Sequence, residues 1–131
     1  MWAEAASGPA LFPYHDTVGK LTIGYGRNLD DVGISRVEAA MFLTADIQTV
    51  LRECMSLPYW EGLDPVRKIV VADMVYNLGM PKFRQFVNFN EAMLNKDYNV
   101  AAFEMRDSKW YRQVTRRASK LHTAMLIGIW E

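Results

Sequence analysis

The sequence predicts an α+β protein, with a small β-hairpin lobe in the first part of the chain and a larger helical lobe after it. Two observations lead to this prediction. Polar and apolar residues alternate over 20–23, between closely spaced glycines, which is typical of a short half-buried strand. After Ser35 the chain instead carries helix start and stop signals around apolar stretches. Half of its 131 residues are apolar, so the chain can bury a core as one domain or as two small lobes that share a helix.

The predicted hairpin lies in residues 13–29, which read PYHDTVGKLTIGYGRNL. The glycines of this segment mark a tight turn and points where another backbone or a ligand comes close. Asp16 lies just before the predicted hairpin and Thr22 lies on its polar face, so both side chains can point into one concavity. A carboxylate and a hydroxyl in a glycine-rich segment that cannot be helical indicate a candidate site.

Helix signals begin at the N-terminus, where residues 2–6 favour a very short opening helix. Ser35 with Glu38 three residues later forms a capping box, which starts a second helix. We expect this helix to continue, with a break near Thr44, to the stop at residues 57–58.

Asp64 followed by Pro65 predicts a helix start, and Gly79 is the matching C-terminal signal. The segment between them is apolar almost all round, which predicts a helix that is buried on most sides at the centre of the helical lobe. The elements expected after it are a helix over about 86–94, a short helix around 101–105, a segment capped by Ser108, and a last helix over about 116–126. We therefore predict a single domain, 1–131.

Composition excludes several classes of function. Fifteen basic and fifteen acidic residues give no net field that would attract nucleic acid. Cys54 is the single cysteine, and with His15 and His122 it shows no ligand spacing, so we expect no metal and no cofactor. We also expect no signal peptide, since no basic segment precedes an apolar run, and no membrane span, since no apolar stretch approaches ~18 residues.

The string YHDTVGKLTIGYG resembles the site segment of the phage-type lysozymes, the endolysins similar to the lysozyme of the T-even bacteriophages. In that family an Asp and a Thr six residues later flank the scissile glycosidic bond, and Asp16 and Thr22 have this spacing. Residues 63–79, 108–118 and 128–130 resemble the family's later helices in order and spacing. The resemblance implies a lysozyme-like fold with a hairpin lobe over about 13–55 and a helical lobe over about 56–131 that includes the opening helix. It also implies that a peptidoglycan glycan strand binds in the cleft between these lobes. It also implies residence in the host cytoplasm until release to the cell wall.

The same resemblance implies site roles. Asp16 and Thr22 manage the attacking water of an inverting hydrolysis, while the family's general acid is a Glu nine residues before the Asp and followed by Gly. Here Ser7 holds that position, followed by Gly8, and a serine hydroxyl cannot donate the proton at neutral pH. Glu4 takes the acid's place only if residues 5–9 form an inserted loop.

Other matched positions concern substrate binding. Tyr76 and Asn77 match positions that line the family's glycan groove, and Arg117 matches the Arg that pairs with the catalytic Glu. Without that Glu we expect Arg117 either to lie unpaired at the cleft floor or to turn to solvent. Arg27 replaces a His that the family often has, and the resemblance implies no role for it.

Apolar residues occupy several positions where the helix pattern predicts solvent, including Val87 and Phe89, and such patches mark association surfaces. We read Trp110, Tyr111 and Trp130 as packing residues. The candidate protein interface consists of Trp2, Phe12, Met41, Phe42, Leu126, Ile127 and Ile129.

Two functions follow as alternatives. The first is a lysozyme scaffold that has lost its acid and is turned, naturally or by design, to binding a protein partner or a second copy. The second is an active muramidase that cleaves the bond between N-acetylmuramic acid and N-acetylglucosamine, with Asp16, Thr22 and Glu4.

Overall fold

A computed structural model describes residues 8–130; for residues 114 and 115 it describes the helical backbone but not the side chains. The predicted opening helix over 2–6 lies outside this range. The chain divides into two compact units, Met1–Leu43 and Thr44–Glu131, whereas the sequence places the boundary near residue 55. The elements in chain order are β1 (Ala10–His15), β2 (Leu21–Gly24), β3 (Arg27–Asn28), α1 (Arg36–Cys54), α2 (Pro65–Leu78), α3 (Met80–Arg84), α4 (Val87–Leu94), α5 (Tyr98–Arg106) and α6 (Lys109–Ile127).

The first unit contains a three-stranded antiparallel sheet in the order β1-β2-β3. Tyr14 pairs with Thr22, which in turn pairs with Asn28 on the other side. The predicted hairpin is therefore present, with a third short strand added. Asp16 lies within its turn rather than before it, because β1 precedes Asp16.

Helix α1 begins at the predicted capping box. The Glu38 N–H donates to the Ser35 hydroxyl oxygen at 3.1 Å, and the Ser35 N–H donates to a Glu38 carboxylate oxygen at 2.8 Å. The helix then continues without interruption through Thr44 to Cys54, so the expected break is wrong. A single β-branched residue costs only a few tenths of a kcal/mol in a helix, roughly, which neighbouring good helix formers offset.

In the second unit α2 has the predicted ends. The Asp64 carboxylate accepts the Arg67 N–H at 3.0 Å, Pro65 is the first helical residue, and Gly79 ends the helix with φ of 81°. The burial is narrower than predicted, because one side of the helix is enclosed while Ile69 and Tyr76 are exposed. The buried residues of α2 are Val70, Val71, Met74 and Val75.

The later helices differ from the sequence expectation in two places. The helix expected over 86–94 is preceded by the separate short helix α3. The segment capped by Ser108 and the predicted last helix form one element, α6. The buried residues Ala118, Leu121 and Ala124 lie three residues apart and so continue a single buried face along this helix.

Over residues 8–130 the hydrophobic core lies in the second unit. All buried apolar side chains among the described residues fall between Val50 and Met125. Phe83 and Phe89 meet edge to face inside it, with ring centroids 5.8 Å apart, so the expectation that Phe89 is exposed is wrong.

The three aromatic residues read as packing residues have different environments. Trp110 is buried, and Tyr111 is partly buried against the core, as predicted. Trp130 is 49% exposed, so for this residue the packing prediction is wrong. It follows Gly128, at which α6 ends, and therefore lies beyond the face that the helix buries.

Candidate functional site

Asp16 sits in a turn whose backbone fixes its side chain. The Gly19 N–H donates to the Asp16 carbonyl at 3.0 Å, and Gly19 has φ of 85°, which suits a turn closed by a glycine bulge. Oδ1 of Asp16 accepts the N–H groups of Val18 at 3.0 Å and Lys20 at 2.8 Å. Oδ2 accepts no hydrogen bond from the described residues, so it is the oxygen with capacity for a water molecule.

Thr22 lies in the central strand and is 3% exposed. Its hydroxyl donates to the carbonyl of Lys20 at 2.8 Å. Because this bond uses the hydroxyl hydrogen, Thr22 acts toward any further partner as an acceptor. Asp16 and Thr22 are thus linked through Lys20, whose N–H binds the carboxylate and whose carbonyl binds the hydroxyl.

Ser7, Glu4 and Trp2 lie outside the described residues. Whether Ser7 or Glu4 holds the position of the family's acid therefore stays a prediction from the sequence.

Arg27 has a clear structural role in the first unit. Its guanidinium binds both carboxylate oxygens of Glu38, with the Nη1–Oε1 distance at 2.6 Å, and it also donates to the Gly33 carbonyl at 3.2 Å. The hydrogen bonds from Arg27, followed by the backbone N–H of Ser35, lower the pKa of Glu38 to about 2. Arg27 therefore ties β3 to the start of α1.

An open groove of about 760 Å³ lies beside this ion pair, within the first unit. Its apolar lining includes Ile23, Val32, Ile34 and Phe42, the last of which belongs to the predicted interface. The groove therefore has largely apolar walls with one ion pair beside them.

In the second unit Arg117 is paired, so the expectation of an unpaired guanidinium is wrong, whereas its side chain is 57% exposed and does turn to solvent. Its Nε donates to Oδ2 of Asp73 at 3.0 Å, and its Nη2 donates to the same oxygen. Oδ1 of Asp73 accepts the side-chain amide of Asn77 at 2.7 Å. Two predicted binding residues, Arg117 and Asn77, are thus brought together by Asp73. Tyr76, the third, is on the same helix and is half exposed.

Sequence reasoning missed Asp73, although a signal was present. Asp73 and Asn77 are four residues apart on a predicted helix, a spacing that places two side chains on one face. What the spacing could not reveal is the contact with Arg117, 44 residues later, since that depends on how α2 and α6 pack.

The predicted interface residues are exposed wherever the structure describes them. In the first unit Phe12 is 81% exposed and Met41 64% exposed, and Phe42 is also exposed. In the second unit the exposed members are Leu126, Ile127 and Ile129.

Within residues 8–130, no three His, Cys, Asp or Glu side chains are grouped so that they could hold a metal ion. Burial, and then the nearby Glu53 charge, raise the pKa of the Cys54 thiol to about 11. No helix in the described part of the chain is long and apolar enough to cross a bilayer.

Comparison with known proteins places these features in a family. The chain matches the family model described as phage lysozyme over residues 4–123. It is similar to the pre-baseplate central spike protein Gp5 of Enterobacteria phage T4, at 28% identity over 99 residues, which cover 72% of this chain and 17% of that protein. It is also similar to the probable T4-type lysozyme 1 of Dictyostelium discoideum, at 24% identity over 151 residues, covering 92% of this chain and 89% of the relative. The chain therefore spans less than a fifth of the spike protein but most of the second relative. Since the family match extends over nearly the whole sequence, the chain belongs to the phage lysozyme family.

Proposed function

We propose that this chain is a lysozyme-like protein that binds peptidoglycan glycan strands and hydrolyses them weakly or not at all. The observation that carries the proposal is the contrast between two parts of the sequence motif. Asp16 and Thr22 keep the family's spacing, whereas Ser7 stands where the family has its acid.

The geometry around Asp16 supports retention of the water-binding half of the site. Two backbone N–H groups hold Oδ1, and Oδ2 has no partner among the described residues. The Thr22 hydroxyl is oriented as an acceptor by its bond to Lys20. A water molecule between an acceptor carboxylate oxygen and an acceptor hydroxyl can donate both its hydrogens, which leaves a lone pair for attack on the anomeric carbon.

Inverting hydrolysis also needs a protonated carboxyl about 6.5–9.5 Å from the base, on the other side of the bond, to protonate the leaving oxygen. Serine does not provide this proton, and loss of a general acid lowers the rate typically by about 10²–10⁴-fold. Glu4 is the remaining carboxylate in the N-terminal segment and is the acid in the alternative proposal, an active muramidase.

Turbidity loss of a peptidoglycan suspension distinguishes the two. We expect little or no lysis by the unaltered chain, and a gain of roughly 100-fold or more for Ser7→Glu, because the acid alone is missing. Asp16→Asn in the Ser7→Glu background should abolish the gain. Lysis by the unaltered chain that both Glu4→Gln and Asp16→Asn remove would instead support the active muramidase.

Binding is tested separately by co-sedimentation with insoluble peptidoglycan. We expect the unaltered chain to sediment with the polymer and to be displaced by soluble glycan fragments. A chain that neither lyses nor binds would contradict the proposal.

A second candidate, protein binding, is favoured by the apolar side chains exposed in the first unit. Phe12, Met41 and Phe42 are all more than half exposed, and aromatic residues and Met are enriched at protein interfaces. We propose self-association or a protein partner as the use of this surface. Sedimentation velocity over a range of concentrations tests the first: Met41→Lys should reduce the association, and a concentration-independent monomer would count against it.

A further inference from the structure

We infer that Asp73 is a positioning residue of the candidate glycan site: Asp73 holds Arg117 in the orientation in which its remaining N–H groups can donate to an uncharged sugar. This inference rests on the proposed glycan binding. It adds Asp73 to that site and identifies an uncharged sugar as the group that Arg117 binds.

In this contact two N–H groups of Arg117 donate to a single carboxylate oxygen of Asp73. Both Nε and Nη2 of Arg117 donate to Oδ2 of Asp73, which fixes the plane of the guanidinium. A guanidinium has five N–H donors, and the pairing turns the edge that carries Nε and Nη2 toward α2. The donors on the opposite edge have no partner among the residues that the structure describes.

Asp73 is the fixed member of the pair. Its side chain is 14% exposed and that of Arg117 is 57% exposed. The Asn77 amide binds both Oδ1 and the backbone carbonyl of Asp73, at 2.7 and 2.8 Å, so the carboxylate is held on a second side. The adjacent Val70 and Met74 are fully buried, which anchors this part of α2 to the core.

The pairing also decides what kind of ligand suits Arg117. A carboxylate bound to the guanidinium cancels most of its charge at short range, so an anionic ligand gains little by approaching it. A hydroxyl or an N-acetyl carbonyl needs only a directed N–H donor, which Arg117 still provides. The half-exposed ring of Tyr76, on the same helix, adds an apolar surface of the kind that packs against a sugar ring.

A double-mutant cycle on binding tests the inference. Affinity for a soluble N-acetylglucosamine tetramer is measured by calorimetry for the unaltered chain, Asp73→Ala, Arg117→Ala and the double variant. We expect each single substitution to weaken binding roughly five-fold or more and the double variant to be no weaker than Arg117→Ala, since interacting residues are not additive. Asp73→Asn, which keeps an oxygen acceptor, should recover part of the loss.

Two residues serve as matched controls: Arg112 lies on α6 with Arg117, and Asp46 lies in the same unit as Asp73. Asp46 and Arg112 are exposed, and we expect Asp46→Ala and Arg112→Ala to leave the affinity unchanged. Melting temperatures of all variants show whether a loss of binding is a loss of fold. Additive losses, or a normal affinity for Asp73→Ala, would overturn the inference.

A measurement that needs no ligand separates this inference from the proposed function. In a ¹⁵N-labelled chain the Arg117 Nε–H signal should be protected from solvent exchange and should lose this protection in Asp73→Ala but not in Asp46→Ala. If the signal behaves so and the tetramer does not bind, the positioning stands and the glycan proposal fails. An unprotected Arg117 signal in the unaltered chain overturns the positioning itself.

Discussion

The two units of this protein are stabilised in different ways. In the second unit a continuous set of apolar side chains is buried, from Val50 to Met125. In the described part of the first unit, residues 8–43, Thr22 is the sole buried residue. The first unit is instead ordered by polar contacts. The Asp30 carboxylate accepts the Leu21 N–H at 2.7 Å, and the Lys20 ammonium pairs with the Asp31 carboxylate at 3.1 Å.

This difference shows what kind of candidate site each unit can hold. Segments below about 40 residues rarely bury enough apolar surface to fold alone, and residues 8–43 leave side chains such as Phe12 and Met41 exposed. A region held by directional polar bonds fixes a turn and a carboxylate, as at Asp16, without a core. A packed region fixes contacts that are distant in sequence, as between Asp73 and Arg117.

A pair of Phe substitutions, one in each unit, gives the largest expected difference in stability between the two units. Phe83→Ala removes a fully buried ring and should destabilise the protein by about 3–5 kcal/mol, because a cavity adds to the lost burial. Phe12→Ala, at 81% exposure, should change stability by less than about 0.5 kcal/mol. Urea unfolding measures both. Equal effects would show that Phe12 is buried in solution.

A pair of glycines gives the next largest effect. Gly128 has φ of 72°, and a Cβ there would meet the Arg67 guanidinium at 2.9 Å. That guanidinium donates to the carbonyls of Met125 and Leu126 at the end of α6. Gly128→Ala should therefore cost about 2–4 kcal/mol, from backbone strain together with the displaced side chain.

The control for this prediction is Gly33→Ala in the first unit. Gly33 has φ of 63° and open space where a Cβ would lie, so about 1–2 kcal/mol of backbone strain is expected alone. Thermal unfolding compares the two variants. If they are equal, the Arg67 contact adds nothing.

Helix caps offer a matched pair of smaller effect. Ser35 accepts the Glu38 N–H and Ser108 accepts the Tyr111 N–H, each at 3.1 Å. Replacing either by Ala should cost about 1 kcal/mol. Amide hydrogen exchange shows where the loss appears: we expect Ser35→Ala to raise exchange in the first unit and Ser108→Ala in the second. A uniform rise in both variants would mean that the units open together.

Acid should act on the first unit through Glu38, with the smallest expected effect because the ion pair is partly exposed and solvent weakens it. Its folded pKa, about 2, is below the ordinary value of 4.5, so the stabilisation is present above about pH 4.5 and is lost as the pH falls toward 2. Circular dichroism of urea unfolding between pH 6 and 2, compared with Glu38→Gln, measures it. The variant should lack this part of the acid dependence.

Local chemistry in the sequence predicted much of the fold. The Ser35–Glu38 capping box, the Asp64–Pro65 start and the glycine-rich turn at Asp16 each depend on groups within four residues of one another. Such interactions are present whenever the local backbone forms, so residue types and spacing suffice to identify them.

Only the tertiary structure decided which side chains the packing brings together. It paired Arg117 with Asp73, buried Phe89, left Trp130 exposed and joined the last two predicted segments into α6. The sequence by itself supplied the candidate site residues Ser7, Asp16 and Thr22, whose roles stay predictions. Pairings between distant residues depend on how helices pack against a shared core, and periodicity along the chain carries no information on the partner that each face meets.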